Sequence, residues 1–220
     1  RGLQTPDVVA LIQSTAPGPQ ALMLQWIEPR PGPPSPQHMD NAGRCLAGLH
    51  QRRGLPPGLQ EDNWIGTLRQ RNDALEGTSW VQFFRQRRII DLCRTLPTST
   101  RRLLDRVPYD KILTEPEGGC ALLHGDLWAG NILWHGNDQA YFIDPAVYAG
   151  HPEVDLAMTR LFGGFGRRFY DAYQDVAGRF DADMNERLDV LTLYPLLVHA
   201  RLFGEAYVAQ LNSVAKRYAR

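Results

Sequence analysis

Asp126, Asn131 and Asp144 are the residues of this chain whose types and spacing could do chemistry together. Asp126 and Asn131 stand in D-x-x-x-x-N spacing within His124-Gly125-Asp126-Leu127-Trp128-Ala129-Gly130-Asn131, and Asp144 follows the next short apolar run. Phosphoryl transfer asks a protein for a carboxylate that orients and deprotonates a hydroxyl, beside oxygen ligands for the metal on a triphosphate. Mg²⁺ takes few protein ligands and fills its shell with phosphate oxygens and water, so Asn131 and Asp144 would suffice. Singly, each residue has an ordinary structural use. Asp in a glycine-rich turn forms the turn, Asp144-Pro145 can end a strand, and His124 can be a satisfied core histidine. Their joint order (strand, H-G-D-x-x-x-x-N, hairpin, I-D) is what points to a catalytic loop with a metal site.

Competing constellations are absent. No G-x-S-x-G elbow offers a serine nucleophile. The six histidines form no H-x-x-x-H or H-E-x-x-H pair for zinc. Gly163-Gly164 belongs to no G-x-G-x-x-G after a strand, which argues against a dinucleotide loop.

The elements that must position these residues follow from periodicity. Val8 to Ser14 and Ala21 to Ile27 read as strands around a turn at Ala16-Pro17-Gly18-Pro19. Five prolines between Pro29 and Pro36 read as an extended connector that continues neither strand nor helix. Beyond it, Asn41 to Arg52, Asp62 to Leu75, Thr78 to Leu96 and Thr98 to Val107 carry helical spacing. Ala121 to His124, Asn131 to His135 and Ala140 to Ile143 read as short strands, the last two joined by a hairpin turn at Gly136-Asn137-Asp138. From Glu153 onward the texture is again helical, and neither internal repeats nor low-complexity segments beyond the connector appear.

Composition bounds the partners. The chain has 220 residues, 43% apolar and 22% charged, with zero formal net charge, so no global field would draw in nucleic acid or anionic lipid. Cys45, Cys93 and Cys120 stand far apart and read as buried apolar side chains in a reducing compartment. With no leader-like opening and no apolar run long enough to span a bilayer, the expected compartment is the cytoplasm. The number of copies in an assembly is not legible here.

The loop "HGDLWAGN" and the stretch "FIDPAVYAGHPEVDLAMTRLFGGF" from Phe142 to Phe165 resemble the fructosamine kinase (ketosamine kinase) family. That family belongs to the aminoglycoside-phosphotransferase-like branch of the protein-kinase-like fold. The resemblance extends through "DNWIGTLRQRN" at 62–72, "WVQFFRQRRI" at 80–89 and "LYPLLVHARLFG" at 193–204. H-G-D-x-x-x-x-N alone would indicate the broad superfamily; the loop tryptophan, DPA in place of DFG, and LFGGF narrow it. The resemblance implies an α+β, protein-kinase-like fold with a mainly helical C-terminal lobe at residues 29–220. Residues 1–28 would then be a short remnant of the N-terminal β-sheet and hinge.

The same resemblance implies ATP as phosphate donor, Mg²⁺ as its metal, and a free or protein-bound ketosamine as acceptor, phosphorylated on a sugar hydroxyl. The 3-hydroxyl and a role in reversing glycation come only from this resemblance. Asp126 would be the catalytic base, Asn131 and Asp144 the metal ligands, and the backbone of Gln25 and Ile27 the adenine contact. Trp128 would pack near the sugar-amine site, although a structural tryptophan fits nearly as well, with Trp64 and Gln70 as further substrate-site candidates. Asp155 would brace the fold, and Arg87 and Arg88 would be solvated helix-face charges.

One departure is large. The only lysines are Lys111 and Lys216, both far past the hinge, and no G-x-G loop precedes it. The strand lysine and phosphate cover of a complete kinase are therefore missing from these residues. The expectation is a piece of a longer enzyme, weakly active or inactive alone, with a degenerate chain as the alternative. Two rival functions stay open: a kinase for another small molecule of aminoglycoside, choline or homoserine type, and a non-catalytic kinase-like binding module.

Overall fold

The computed structural model describes residues 3–12, 21–74, 76–136 and 138–219. Strands β1 (Val8–Ile12) and β2 (Ala21–Leu24) pair antiparallel, and Gln25 N–H extends the ladder to the Asp7 carbonyl at 2.8 Å. β1 follows the expected strand as far as Ile12; Gln13, Ser14 and the Ala16–Pro19 turn lie outside the described residues. β2 ends early, at Leu24. The connector then docks on the strand cluster: Arg30 N–H donates to the Trp134 carbonyl at 2.8 Å, and His135 Nδ1 donates to the Glu28 carbonyl at 2.7 Å.

Helix α1 (Pro36–His50) begins five residues before the expected Asn41. Pro36 opens it because a first-turn N–H needs no intrahelical partner, and Ser35 caps it in a reciprocal box with His38. The expected helix from Asp62 to Leu75 is corrected to a hairpin, β3 (Asn63–Ile65) and β4 (Leu68–Gln70), with Leu75 outside the described residues. Trp64 outward and Ile65 inward is a two-residue alternation, and the tight Gly66-Thr67 link, with Gly66 at φ +55°, reverses the chain. The Asp62 carboxylate accepts Asn72 N–H at 2.8 Å and Arg69 Nε at 2.9 Å, closing the hairpin base.

Residues 80–93 form one helical run: α2 (Trp80–Phe83), a π-helical segment (Phe84–Ile90) and α3 (Asp91–Cys93). Next come α4 (Thr98–Asp105) and α5 (Tyr109–Ile112). Strand β5 (Ala121–Leu123) leads into the loop, a 3₁₀ turn (Ala129–Asn131) closes it, and β6 (Ile132–His135) with β7 (Gln139–Phe142) forms the expected hairpin. Asn137 of its turn lies outside the described residues. β8 (Tyr148–Gly150) pairs antiparallel with β5.

Five helices complete the chain: α6 (Glu153–Phe162), α7 (Arg167–Ala177), α8 (Met184–Leu191), α9 (Leu193–Phe203) and α10 (Glu205–Tyr218). The core is continuous from Leu46 of α1 through Trp80, Phe84, Leu123 and Leu127 to Leu196 and Leu211. The architecture is the expected α+β arrangement, small sheets on a mainly helical body. Cys93 and Cys120 are buried, with burial pushing the Cys120 thiol up to about 12, while Cys45 is half-buried. Among the described residues, no helix is long and apolar enough to cross a membrane.

Candidate active site

The loop from His124 to Asn131 is hung from the first turn of α6. The Asp155 carboxylate, wholly buried, accepts the backbone N–H of His124 and of Gly125, each at 2.8 Å. His50 Nε2 meets the same carboxylate at 3.1 Å, and His50 Nδ1 meets the Tyr173 hydroxyl at 2.9 Å. Burial would raise the Asp155 pKa, but the His50 contact, nearby His124 and the donated N–H of Gly125 outweigh it and hold the carboxyl below its usual value. Asp155 therefore braces the loop, as expected.

The other side of the loop is held by the segment after β7. Ala146 N–H donates to the His124 carbonyl at 2.9 Å, Ile143 N–H donates to the Asn131 carbonyl at 3.0 Å, and His124 Nε2 bonds the Ile143 carbonyl at 3.0 Å. A Cβ on Gly125 would lie 2.0 Å from the Ala146 carbonyl oxygen, and Gly125 sits at φ +81°. Only glycine meets both demands.

These contacts bring Asp126, Asn131 and Asp144 together. Asn131 Nδ2 donates to the Asp126 carbonyl at 2.8 Å and to Asp126 Oδ2 at 3.2 Å, with the Asp144 carbonyl at 3.5 Å. All three partners are acceptors, so the amide orientation is forced and Asn131 Oδ1 is left over as a ligand atom. Asp144 is exposed and adopts φ +50°, a left-handed conformation that Asp tolerates better than most residues. An available carboxamide oxygen and an exposed carboxylate are hard donors suited to Mg²⁺, which keeps waters and phosphate oxygens for its remaining positions. Among the described residues no three His, Cys, Asp or Glu side chains form a closed metal cluster, so the donor set fits a substrate-borne cation better than a resident one. Burial raises the Asp126 pKa against the lowering effects of His124 and Asn131.

The remaining candidates separate. Trp128 is half-exposed beside the loop, and its ring covers Gly130 so closely that a Cβ there would lie 2.3 Å from it. Trp64 is exposed on β3. Gln70 is corrected from a substrate contact to a buried strut. Its Nε2 donates to Asn63 Oδ1 at 2.8 Å and to the Ala146 carbonyl at 3.1 Å, and its Oε1 accepts the Tyr194 hydroxyl. Gln25 has its N–H committed to Asp7, leaving its carbonyl, and Ile27 is buried. Arg88 is corrected from a solvated charge to a fully buried one, and Arg87 is held by Asp73 at 2.5 Å and Asp91 at 3.0 Å.

The periodicity missed His199 of α9. Its charge, when protonated, favours the ionised form of Asp126, and its ring lies against Phe162, Phe203 and Tyr207 at centroid distances of 4.5, 5.3 and 5.0 Å. The only trace in the sequence is a histidine in a mostly apolar helix.

Known proteins resemble this chain along most of its length. The family model described as fructosamine kinase matches residues 2–220. An Enterococcus faecium protein named a probable ketoamine kinase is 34% identical over 204 residues, covering 90% of this chain and 71% of that protein. A chloroplastic protein-ribulosamine 3-kinase of Arabidopsis thaliana is 32% identical, covering 81% of this chain and 56% of its own. A crystal structure of a candidate fructosamine-3-kinase from Thermobifida fusca superimposes with TM-score 0.79 at 36% identity, covering 89% of this chain and 68% of that one. A gentamicin complex of an aminoglycoside phosphotransferase, at 17% identity and TM-score 0.58 over 98% of this chain and 74% of that one, shares the fold.

Proposed function

This chain belongs to the fructosamine kinase family, and on that premise we propose that it carries the acceptor and metal half of an ATP-dependent ketosamine kinase. Asp126 takes the proton of a sugar hydroxyl as that oxygen attacks the terminal phosphorus of ATP, and ADP departs with the electron pair of the broken P–O bond. Asn131 Oδ1 and the Asp144 carboxylate would hold Mg²⁺ on the triphosphate, and the ion would supply charge neutralisation there. The protein's own contribution is positioning: the Asn131 amide fixes the Asp126 carboxylate, and Asp155 fixes the loop that carries it. Trp128 and His199 flank the acceptor, and the carbonyl of Gln25 with the backbone of Ile27 receives the adenine. The observation that carries this reading is the Asn131-to-Asp126 bond, which leaves Asn131 Oδ1 available next to Asp144.

The test is transfer of labelled phosphate from ATP with Mg²⁺ to a panel of fructosyl- and ribulosyl-lysine, glycated peptide, aminoglycoside, choline and homoserine, with Asp126→Asn as control. Label on the ketosamine sugar, absent in the control, is the expected result. Transfer to an aminoglycoside without transfer to any ketosamine would overturn the acceptor assignment. Ketosamine binding without transfer, seen equally in Asp126→Asn, would favour the binding-module reading.

A further inference from the structure

Arg88 is a fully buried guanidinium with no carboxylate partner among the described residues. Its Nη1 donates to the Arg71 carbonyl at 2.6 Å, its Nη2 to Asn72 Oδ1 at 2.7 Å, and its Nε has no partner. Aromatic faces take the place of an anion: the guanidinium carbon lies 3.9 Å from the Tyr148 ring centroid, 4.8 Å from Phe83 and 5.5 Å from Tyr194. Buried cations are otherwise almost always paired.

Arg88 lines a cavity of about 210 Å³ between the β3–β4 hairpin, the π-helical segment and α9. Arg69, Arg71, Arg87 and Arg201 line it too, with Asp91 as its only carboxylate. Asp91 is already shared by Arg87 at 3.0 Å, Arg94 at 2.7 Å and Arg71 at 3.7 Å. Asp73 is shared by Arg71 and Arg87, and Asp62 serves Arg69. Arg201 donates to the Leu92 carbonyl rather than to a carboxylate. Local charge is thus in cationic excess in a chain whose formal net charge is zero. Arg87 and Arg88 both stand on the seven-residue π-helical run, a geometry that is rare and concentrated at functional sites.

We propose that this cavity is an anion site that takes a compact oxyanion, a phosphate or carboxylate group, between Arg71 and Arg201 and over the buried charge of Arg88. Guanidinium forks match such groups in pairs of parallel hydrogen bonds, and the low dielectric around Arg88 strengthens its pull. The cavity stands apart from the phosphotransfer centre, with the Gln70 strut to Ala146 between them, and the proposal does not rest on turnover.

The test is thermal unfolding and calorimetric titration of the 220-residue chain with inorganic phosphate and, separately, succinate. Sodium chloride holds ionic strength constant. A saturable rise in melting temperature is expected with at least one of them. Phosphate alone would assign a phosphate source, succinate alone a carboxylate source, and both a general oxyanion site. The double variant Arg71→Gln, Arg201→Gln should weaken that binding about tenfold or more, and Arg167→Gln, on the exposed face of α7, should leave it unchanged. Arg88→Met should abolish it; should that variant fail to fold, the double variant decides. No rise beyond chloride, or a rise that survives in the double variant, would overturn the proposal.

Discussion

The backbone N–H of Gly125 donates to the carboxylate of Asp155 at 2.8 Å, and no part of that carboxylate reaches solvent. One buried anion on α6 thus fixes the turn that presents the Asp126 carboxylate, the proposed base. Asp155→Asn keeps one acceptor and loses the charge that faces His50. Its unfolding free energy should fall by about 2–4 kcal/mol, within the range for breaking a buried charged contact, as read from urea unfolding. A change below about 0.5 kcal/mol would show that the loop stands without it.

Asp126→Asn should behave in the opposite way. Burial already disfavours the ionised Asp126 carboxylate, so the neutral amide should cost no stability. Phosphotransfer should fall by about 10²–10⁴-fold in kcat through loss of the base. Stopped-time assays and urea unfolding on the same preparation separate the two effects.

Gly130→Ala addresses Trp128. The added methyl would meet the indole at 2.3 Å, so the ring must leave its place over the loop. Trp128 is half-exposed, so stability should change little. The acceptor KM should rise about tenfold through misplaced binding surface, with a shift in tryptophan emission. An unchanged KM would remove Trp128 from the acceptor site.

His151 contributes to the acid limit, alongside buried His124. Burial depresses the His151 pKa to about 4 against the opposing pull of Glu153. Between pH about 6.5 and about 4, the unfolded chain binds a proton that the folded chain refuses. Stability should therefore be flat above that window and fall as pH drops through it. The urea midpoint measured across pH 4–7 reads this. His151→Phe, whose ring can still pack on Trp80, should flatten the curve.

These 220 residues expressed alone should turn over slowly. Lys111 lies on α5 and Lys216 on α10, far from a strand that could present a lysine to the phosphates. Loss of that charge costs on the order of several kcal/mol in the transition state. A rate near 1 per second, typical of a complete kinase and measured with labelled ATP at saturating ketosamine, would contradict this.

Much of the site was legible before folding. The loop and the β6–β7 hairpin follow from local spacing, since a turn and a short hairpin can bring Asp126, Asn131 and Asp144 together, whereas the bracing role of Asp155, about 30 residues away, came only from the family resemblance. The Asp62 to Leu75 segment misled because Trp64, Ile65 and Leu68 satisfy a helical face by number. The tight turn at Gly66-Thr67 and the ties of Asp62 to Asn72 and Arg69 stabilise the hairpin instead.

By itself, the sequence determined the candidate set: two carboxylates and a carboxamide within 19 residues of one another, close enough that turn and hairpin geometry alone can bring them together. Only the tertiary structure decided what surrounds them. It brought His199, 73 residues away, within electrostatic reach of Asp126, turned Gln70 into a strut and enclosed Arg88 among aromatic rings with no ion-pair partner among the described residues. Those outcomes depend on which helix faces pack together, and the free energy of that packing comes from contacts between residues distant in the chain, which spacing along the chain does not encode.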